Sequence, residues 1–125
     1  MVSIQIKRAY EPADAEDGYR MLVDRLWPRG VSKERAALDE WFKEIAPSPA
    51  LRTWWNHDAA RMPEFSARYD AELEADTTAV EHLVGVVLTH DVVTLVYAAH
   101  DPMVNHAVVL KRFIDMRLAD PASQR

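Results

Sequence analysis

Residues 92–106 read Val92-Val-Thr-Leu-Val-Tyr-Ala-Ala-His-Asp-Pro-Met-Val-Asn-His106. The run from Val92 to Ala99 lacks the apolar–polar alternation of a half-buried strand. A strand of that kind is buried on both faces and is normally a central parallel strand. It stops at His100-Asp101, turns through Pro102, and a second apolar-patterned segment starts at Asn105-His106. In open α/β sheets, ligands bind just beyond the carboxyl ends of such strands. The stretch therefore predicts a central strand and, beside it, the place of a site.

Working outward, Val2–Lys7 alternates with Val2, Ile4 and Ile6 on one face, a strand suited to a sheet edge. Met21-Leu22-Val23 lies in a second strand, Tyr19–Arg25, closed by the turn Trp27-Pro28-Arg29-Gly30. Ser32 can cap a short helix through Ala37. Residues 38–45 are ambiguous: Leu38, Trp41, Phe42 and Ile45 have helical spacing, yet the aromatics and the stop at Ala46-Pro47 suit a strand. Ser48-Pro49 and Pro63 each open a helix with proline in its first turn. Phe65, Tyr69 and Leu73 follow at intervals of four. Thr78 and Glu81 form a capping-box pattern before the stripe Val80, Leu83, Val84, Val87, Leu88. A final helix runs from about Asn105 to Ala119. The order predicts an α/β fold: a small, mostly parallel sheet flanked by helices, Rossmann-like and layered, in one domain over 1–120 with a flexible tail at 121–125.

Composition narrows the function. The 125 residues hold 20 acids and 15 Lys or Arg, a net charge of −5, which argues against a dedicated nucleic-acid binder. The absence of Cys removes disulfides and thiolate catalysis and fits a cytoplasmic setting. No apolar run reaches the roughly 18 residues of a membrane span. Acidic residues crowd Glu64–Glu81, which reads as a solvated helix face, whereas Arg20, Arg25, Arg29, Lys33 and Arg35 crowd one early segment.

Several segments together resemble the YeaO-like family, a domain of unknown function found in small bacterial proteins. They are Leu22-Val-Asp-Arg-Leu-Trp-Pro-Arg-Gly30, Trp41-Phe-Lys-Glu-Ile-Ala-Pro-Ser48, Leu51-Arg-Thr-Trp54 with His57-Asp58, Phe65-Ser-Ala-Arg-Tyr69, and Val96-Tyr-Ala-Ala-His-Asp101 with Asn105-His-Ala107. The resemblance implies an α/β fold and favours strand for 40–45. Longer relatives carry cysteines where Tyr97 and Asn105 stand here, and an arginine where Ala107 stands. No thiol or metal chemistry carries over from them.

Two groups of residues are candidates for a site. Arg25 and Arg29, with Asp24 between strand and turn, could hold a phosphate or carboxylate through their forked donors. Equally, Asp24 could simply pair with Arg25 or with another strand end. His100, Asp101, Asn105 and His106 gather on one loop and one helix start. His106 in the first turn could act as a general base, with His100 and Asp101 as catalytic partners; the alternative is a capping network that only orders the loop. Lys43 and Asn105 join Arg25, Arg29 and Asp24 as ligand contacts. The pairs His57-Asp58, His90-Asp91 and His100-Asp101 lack the i, i+4 spacing of a metal helix, so no metal and no cofactor is expected. The Trp and Phe residues at helical spacing read as core before they read as a stacking platform. The expectation is a pocket for a small anionic ligand, nucleotide-like ligands included, with hydrolase or transferase chemistry open. The alternative is a non-enzymatic interaction or regulatory module, working as a homodimer through exposed aromatics. No membrane partner is expected.

Overall fold

A computed structural model describes residues 3–120. Its strands are β1 (Ser3–Arg8), β2 (Tyr19–Leu22), β3 (Glu40–Trp41) and β4 (Val92–Tyr97). Its helices are α1 (Lys33–Ala36), α2 (Pro49–Trp55), α3 (Met62–Ala75), α4 (Thr77–Leu88) and α5 (His106–Ala119). The four strands are all parallel in the order β1-β4-β2-β3. The apolar run is thus a central strand, with Ile4 opposite Val93 on one side and Met21 opposite Leu95 on the other. β1 is an edge strand; Val2 and the expected tail at 121–125 lie outside the described residues.

Alternation sorts the sheet's two faces. Ile4, Met21, Val23, Val93, Leu95 and Tyr97 join the main core with α2, α3, α4 and α5. Trp55 and Phe65 stack in that core with ring centres 3.8 Å apart. The opposite face carries a small apolar cluster of Ala9, Leu22 and Val96, packed by Trp27 and Leu38, beside a buried polar network. Lys7, Arg20 and Thr94 point there and are covered by the turn Ala15–Asp17 and by Ala36. Arg20 is only 3% exposed. Its Nη1 lies 2.6 Å from Asp17, and its Nε and Nη2 donate to the Ala36 carbonyl. Thr94 donates to the Asp17 carbonyl at 2.6 Å. Burial pushes the Asp17 carboxyl up, but the Asp14 backbone N–H and the Lys7 and Arg20 cations outweigh it and hold its pKa below the ordinary value. Arg20 is therefore part of this buried network and does not join the basic surface that the sequence suggested.

Two local expectations are corrected. The strand expected over 40–45 is only Glu40–Trp41, followed by a 3-10 turn at Lys43–Ile45. β3 pairs only with Met21 and Leu22, and β2 turns away at Asp24, so nothing remains for a longer strand to pair with. The Trp41 indole N–H donates to the Asp24 carbonyl, fixing that turn. The α4 cap is Asp76, which accepts from Ala79 N, so Thr78 lies inside the helix. Asp76 also ends α3, and one residue joins the two helices. Ser32, Ser48 and Asn105 cap α1, α2 and α5 as the sequence predicts.

Candidate functional site

The chain leaves β2, β3 and β4 at the same edge of the sheet. Between their continuations and α2 opens a cleft of about 480 Å³. Asp24 to Arg29 form one wall, Ala46 and Pro47 a second, and Arg52, Thr53 and Trp55 to His57 a third, while Ala98, Ala99 and His106 lie behind. The alanines at 98 and 99 keep the end of β4 clear of side-chain bulk.

Asp24 is tied down at the strand ends. Its Oδ2 accepts from Ala98 N at 3.0 Å, joining the ends of β2 and β4. Its Oδ1 lies 3.1 Å from His106 Nε2. That nitrogen is also 2.9 Å from the Val23 carbonyl, which can only accept, so Nε2 carries a hydrogen. The N–H points at the carbonyl, and the buried Asp24 Oδ1 is left without a hydrogen bond. Nε2 is thereby committed to the backbone, and Nδ1 is the ring nitrogen that remains for other chemistry. Asp24 forms no pair with Arg25.

Arg25 is half-buried. Its Nε donates to the Pro47 carbonyl at 3.0 Å and its Nη2 to Ala46 at 3.4 Å. These contacts fix the plane of the guanidinium and leave its outer N–H groups unused, since the group has five donors. Arg29 and Arg52 are exposed, and neither side chain makes a hydrogen bond or ion pair with any described residue. Three arginines thus meet a cleft whose one carboxylate is already engaged.

His57 enters through backbone strain. Asn56 (φ 49°) and His57 (φ 54°) are consecutive left-handed residues where α2 ends. Asn tolerates that region, and the Asn56 N–H caps the Arg52 carbonyl. A second left-handed residue in succession is costly and is the kind of strain found at functional turns. It sets the His57 ring 4.9 Å from Trp55. The His57 pKa is lowered from 6.5, first by partial desolvation, then by repulsion from the His106 ring, with Arg52 adding to the effect and Asp24 opposing it. Behind this wall Tyr69 donates to the Ile45 carbonyl at 2.6 Å, and burial raises its pKa well above 10, so it stays a donor.

The structure brings Asp24, Arg25, Arg29 and His106 together and leaves other expected site residues elsewhere. His100 is exposed, with Nδ1 3.3 Å from Arg8 Nη2, while Arg8 Nε also holds the Ala99 carbonyl. That clamp turns residue 100 away from the cleft. Asp101 accepts from Met103 N and Val104 N, and Asn105 donates to the Asp101 carbonyl while capping α5. These two order the loop and do not line the cleft. Lys43 sits 4.1 Å over the Trp41 ring, away from the cleft wall. Arg52, Thr53 and His57 line the cleft without having been singled out as site residues. Their signal was a short capped helix ending in Asn-His, a natural left-handed exit. Among the described residues no cluster of three or more His, Asp or Glu is arranged to hold a metal. No described helix is long and apolar enough to cross a membrane.

A family model described as the inactive DUF488-N3 subclade matches residues 3–125. The uncharacterized protein YeaO of Escherichia coli K12 is 44% identical over 109 residues, covering 87% of this chain and 94% of its own. The uncharacterized protein Rv3073c of Mycobacterium tuberculosis H37Rv is 39% identical over 114 residues, covering 91% and 95% respectively. No solved structure matches the chain.

Proposed function

Because the chain belongs to the DUF488 family, with its match in a subclade described as inactive, we propose that it is a binding domain for a small anionic ligand and performs no chemistry on it. The observation that carries this reading is the pair Arg29 and Arg52, two cations without intramolecular partners on the cleft that Arg25 also lines. In a molecule of net charge −5, such a cleft concentrates positive potential where a ligand would enter. Non-catalytic binding is favoured over hydrolase or transferase chemistry for two reasons. The matching subclade is described as inactive, and Thr53 is the one hydroxyl side chain among the lining residues. Nucleotide-like ligands fall within the class, since the cleft volume lies in the roughly 300–1,000 Å³ of small-molecule sites. A cytoplasmic setting fits the cysteine-free composition.

The test is calorimetric titration with adenosine monophosphate and inorganic phosphate, repeated on Arg29→Met and Arg52→Met. Binding that is lost in the variants, with the nucleotide recovered intact by phosphorus NMR, supports the reading. Undiminished affinity in both variants sinks it, and turnover of the nucleotide restores the enzymatic alternative. A homodimeric interaction module is a second reading, resting on Leu26 (61% exposed) and Trp41 (36%) near the open β3 edge. Sedimentation equilibrium of Leu26→Asp against wild type tests it.

A further inference from the structure

The balance of charge around the cleft bears on which anion it takes. Arg25, Arg29 and Arg52 contribute three positive charges and Asp24 one negative, leaving two positive charges to be met by a ligand. Asp24 cannot be displaced to change that sum, because Ala98 N holds its Oδ2 and its Oδ1 is buried against the His106 ring. No other carboxylate lines the cleft among the described residues. Resting on the anion-binding reading above, we infer that the cleft takes phosphate monoesters in their dianionic form and discriminates against singly charged phosphodiesters and carboxylates.

The guanidiniums supply the chemistry for this choice. A monoester presents three terminal oxygens, enough for a fixed guanidinium and two mobile ones to bind at once, whereas a diester presents two. Arg25 is the fixed member, its plane set by the Pro47 and Ala46 carbonyls, so it loses little freedom on binding. Arg29 comes from the turn after β2 and Arg52 from α2, on different walls of the cleft. His57, faced by Asp24, Arg52 and the His106 ring, has its pKa lowered from 6.5 by partial burial, so it is predominantly neutral at pH 7 and above and adds no fixed positive charge. The cleft is also larger than a bare ion needs. The esterified group would occupy the rest, beside Trp27 and the exposed ring of His57.

The experiment compares methyl phosphate with dimethyl phosphate by calorimetry at low salt and about pH 8. There a monoester, with a second pKa near 6, is a dianion, while the diester stays singly charged. Methyl phosphate is expected to bind at least ~10-fold tighter, equivalent to about 1.4 kcal/mol. In the double variant Arg29→Gln, Arg52→Gln that preference should fall below about threefold, with an unchanged melting temperature reporting an intact fold. Equal affinity for the two esters overturns the dianion inference and leaves anion binding standing. Binding of neither ester at millimolar concentration overturns both. A preference that survives undiminished in the folded double variant removes the arginines as its source and overturns the inference as argued.

Discussion

Replacing Asp24 by Asn should weaken the fold and strengthen ligand binding, and the opposite signs make it a sharp test of the cleft. The side chain is 16% exposed and links the end of β2 to the end of β4 through Ala98 N. A hydrogen bond to a charged group contributes about 1.5–3 kcal/mol, and a neutral one about 0.5–1.5. Asparagine keeps an acceptor for Ala98 N but gives up the charge, and its amide hydrogens face the N–H of His106. The expected loss is therefore about 1–2 kcal/mol in urea unfolding with an unchanged m-value. Asp24→Ala, which removes the acceptor as well, should cost about 3 kcal/mol. For the ligand the change works the other way. Removing one negative charge at a separation on the order of 8 Å, across a solvent-screened cleft, favours an anion by about 0.5–1 kcal/mol, a two- to fivefold gain. Methyl phosphate titrated into Asp24→Asn by calorimetry measures this directly. Weaker binding in a folded Asp24→Asn protein would mean that the carboxylate itself contacts the ligand and would refute the assignment of Asp24 to the scaffold.

Three further outcomes follow from the same geometry. Arg20→Met leaves Asp17 under the sheet with Lys7 as its remaining cation and the Asp14 N–H as its remaining backbone donor, and should cost about 3–5 kcal/mol by chemical denaturation while leaving cleft affinity within about twofold; a loss under 1 kcal/mol would count against a buried network. Gly18→Ala places a Cβ 2.3 Å from the Val92 carbonyl at φ +63°, where backbone must move, so β2 and β4 should separate at that end at a cost above about 2 kcal/mol; an unchanged melting temperature would contradict the close approach. His57 has a folded-state pKa below 6.5, so the unfolded chain takes up its proton first as pH falls, and the stability tied to this group is lost on acidification through and below pH 6.5. His57→Gln should therefore show a flatter stability profile between about pH 5 and 6.5 than wild type, and parallel profiles would dismiss the linkage.

The parallel sheet was legible because its signal is local. An apolar run without alternation can be satisfied only by burial on both faces, and β4 has helices on one face and the Asp17–Arg20 network on the other. The caps Ser32, Ser48 and Asn105 were legible for the same reason, since each bonds a backbone N–H three residues on. The extent of β3 was not legible, because a strand's length depends on how far its neighbour runs, and β2 turns away at Asp24. Nor was the destination of Arg20. In sequence it belongs to a basic cluster, and only the β2–β4 register, with Arg20 opposite Thr94, turns it toward Asp17.

For the site, sequence proximity was a poor guide and strand topology a better one. His100, Asp101, Asn105 and His106 are near neighbours in the chain, yet only His106 reaches the cleft, because Arg8 clamps the chain at Ala99 and the Asp101 turn closes on itself. Arg25, Arg52 and His57 are far apart in the chain and meet because β2 and β4 end at one level, with Asp24 bonded to Ala98 N across them, while a short 3-10 turn carries the chain from β3 into α2. A polar residue at this end of the sheet has two possible fates: it can bond the backbone of a strand end or face the opening. Asp24 and His106 take the first, and Arg29 and Arg52 take the second. That division predicts that the fold-holding residues and the residues proposed to face a ligand are separable by mutation, although they line the same cleft.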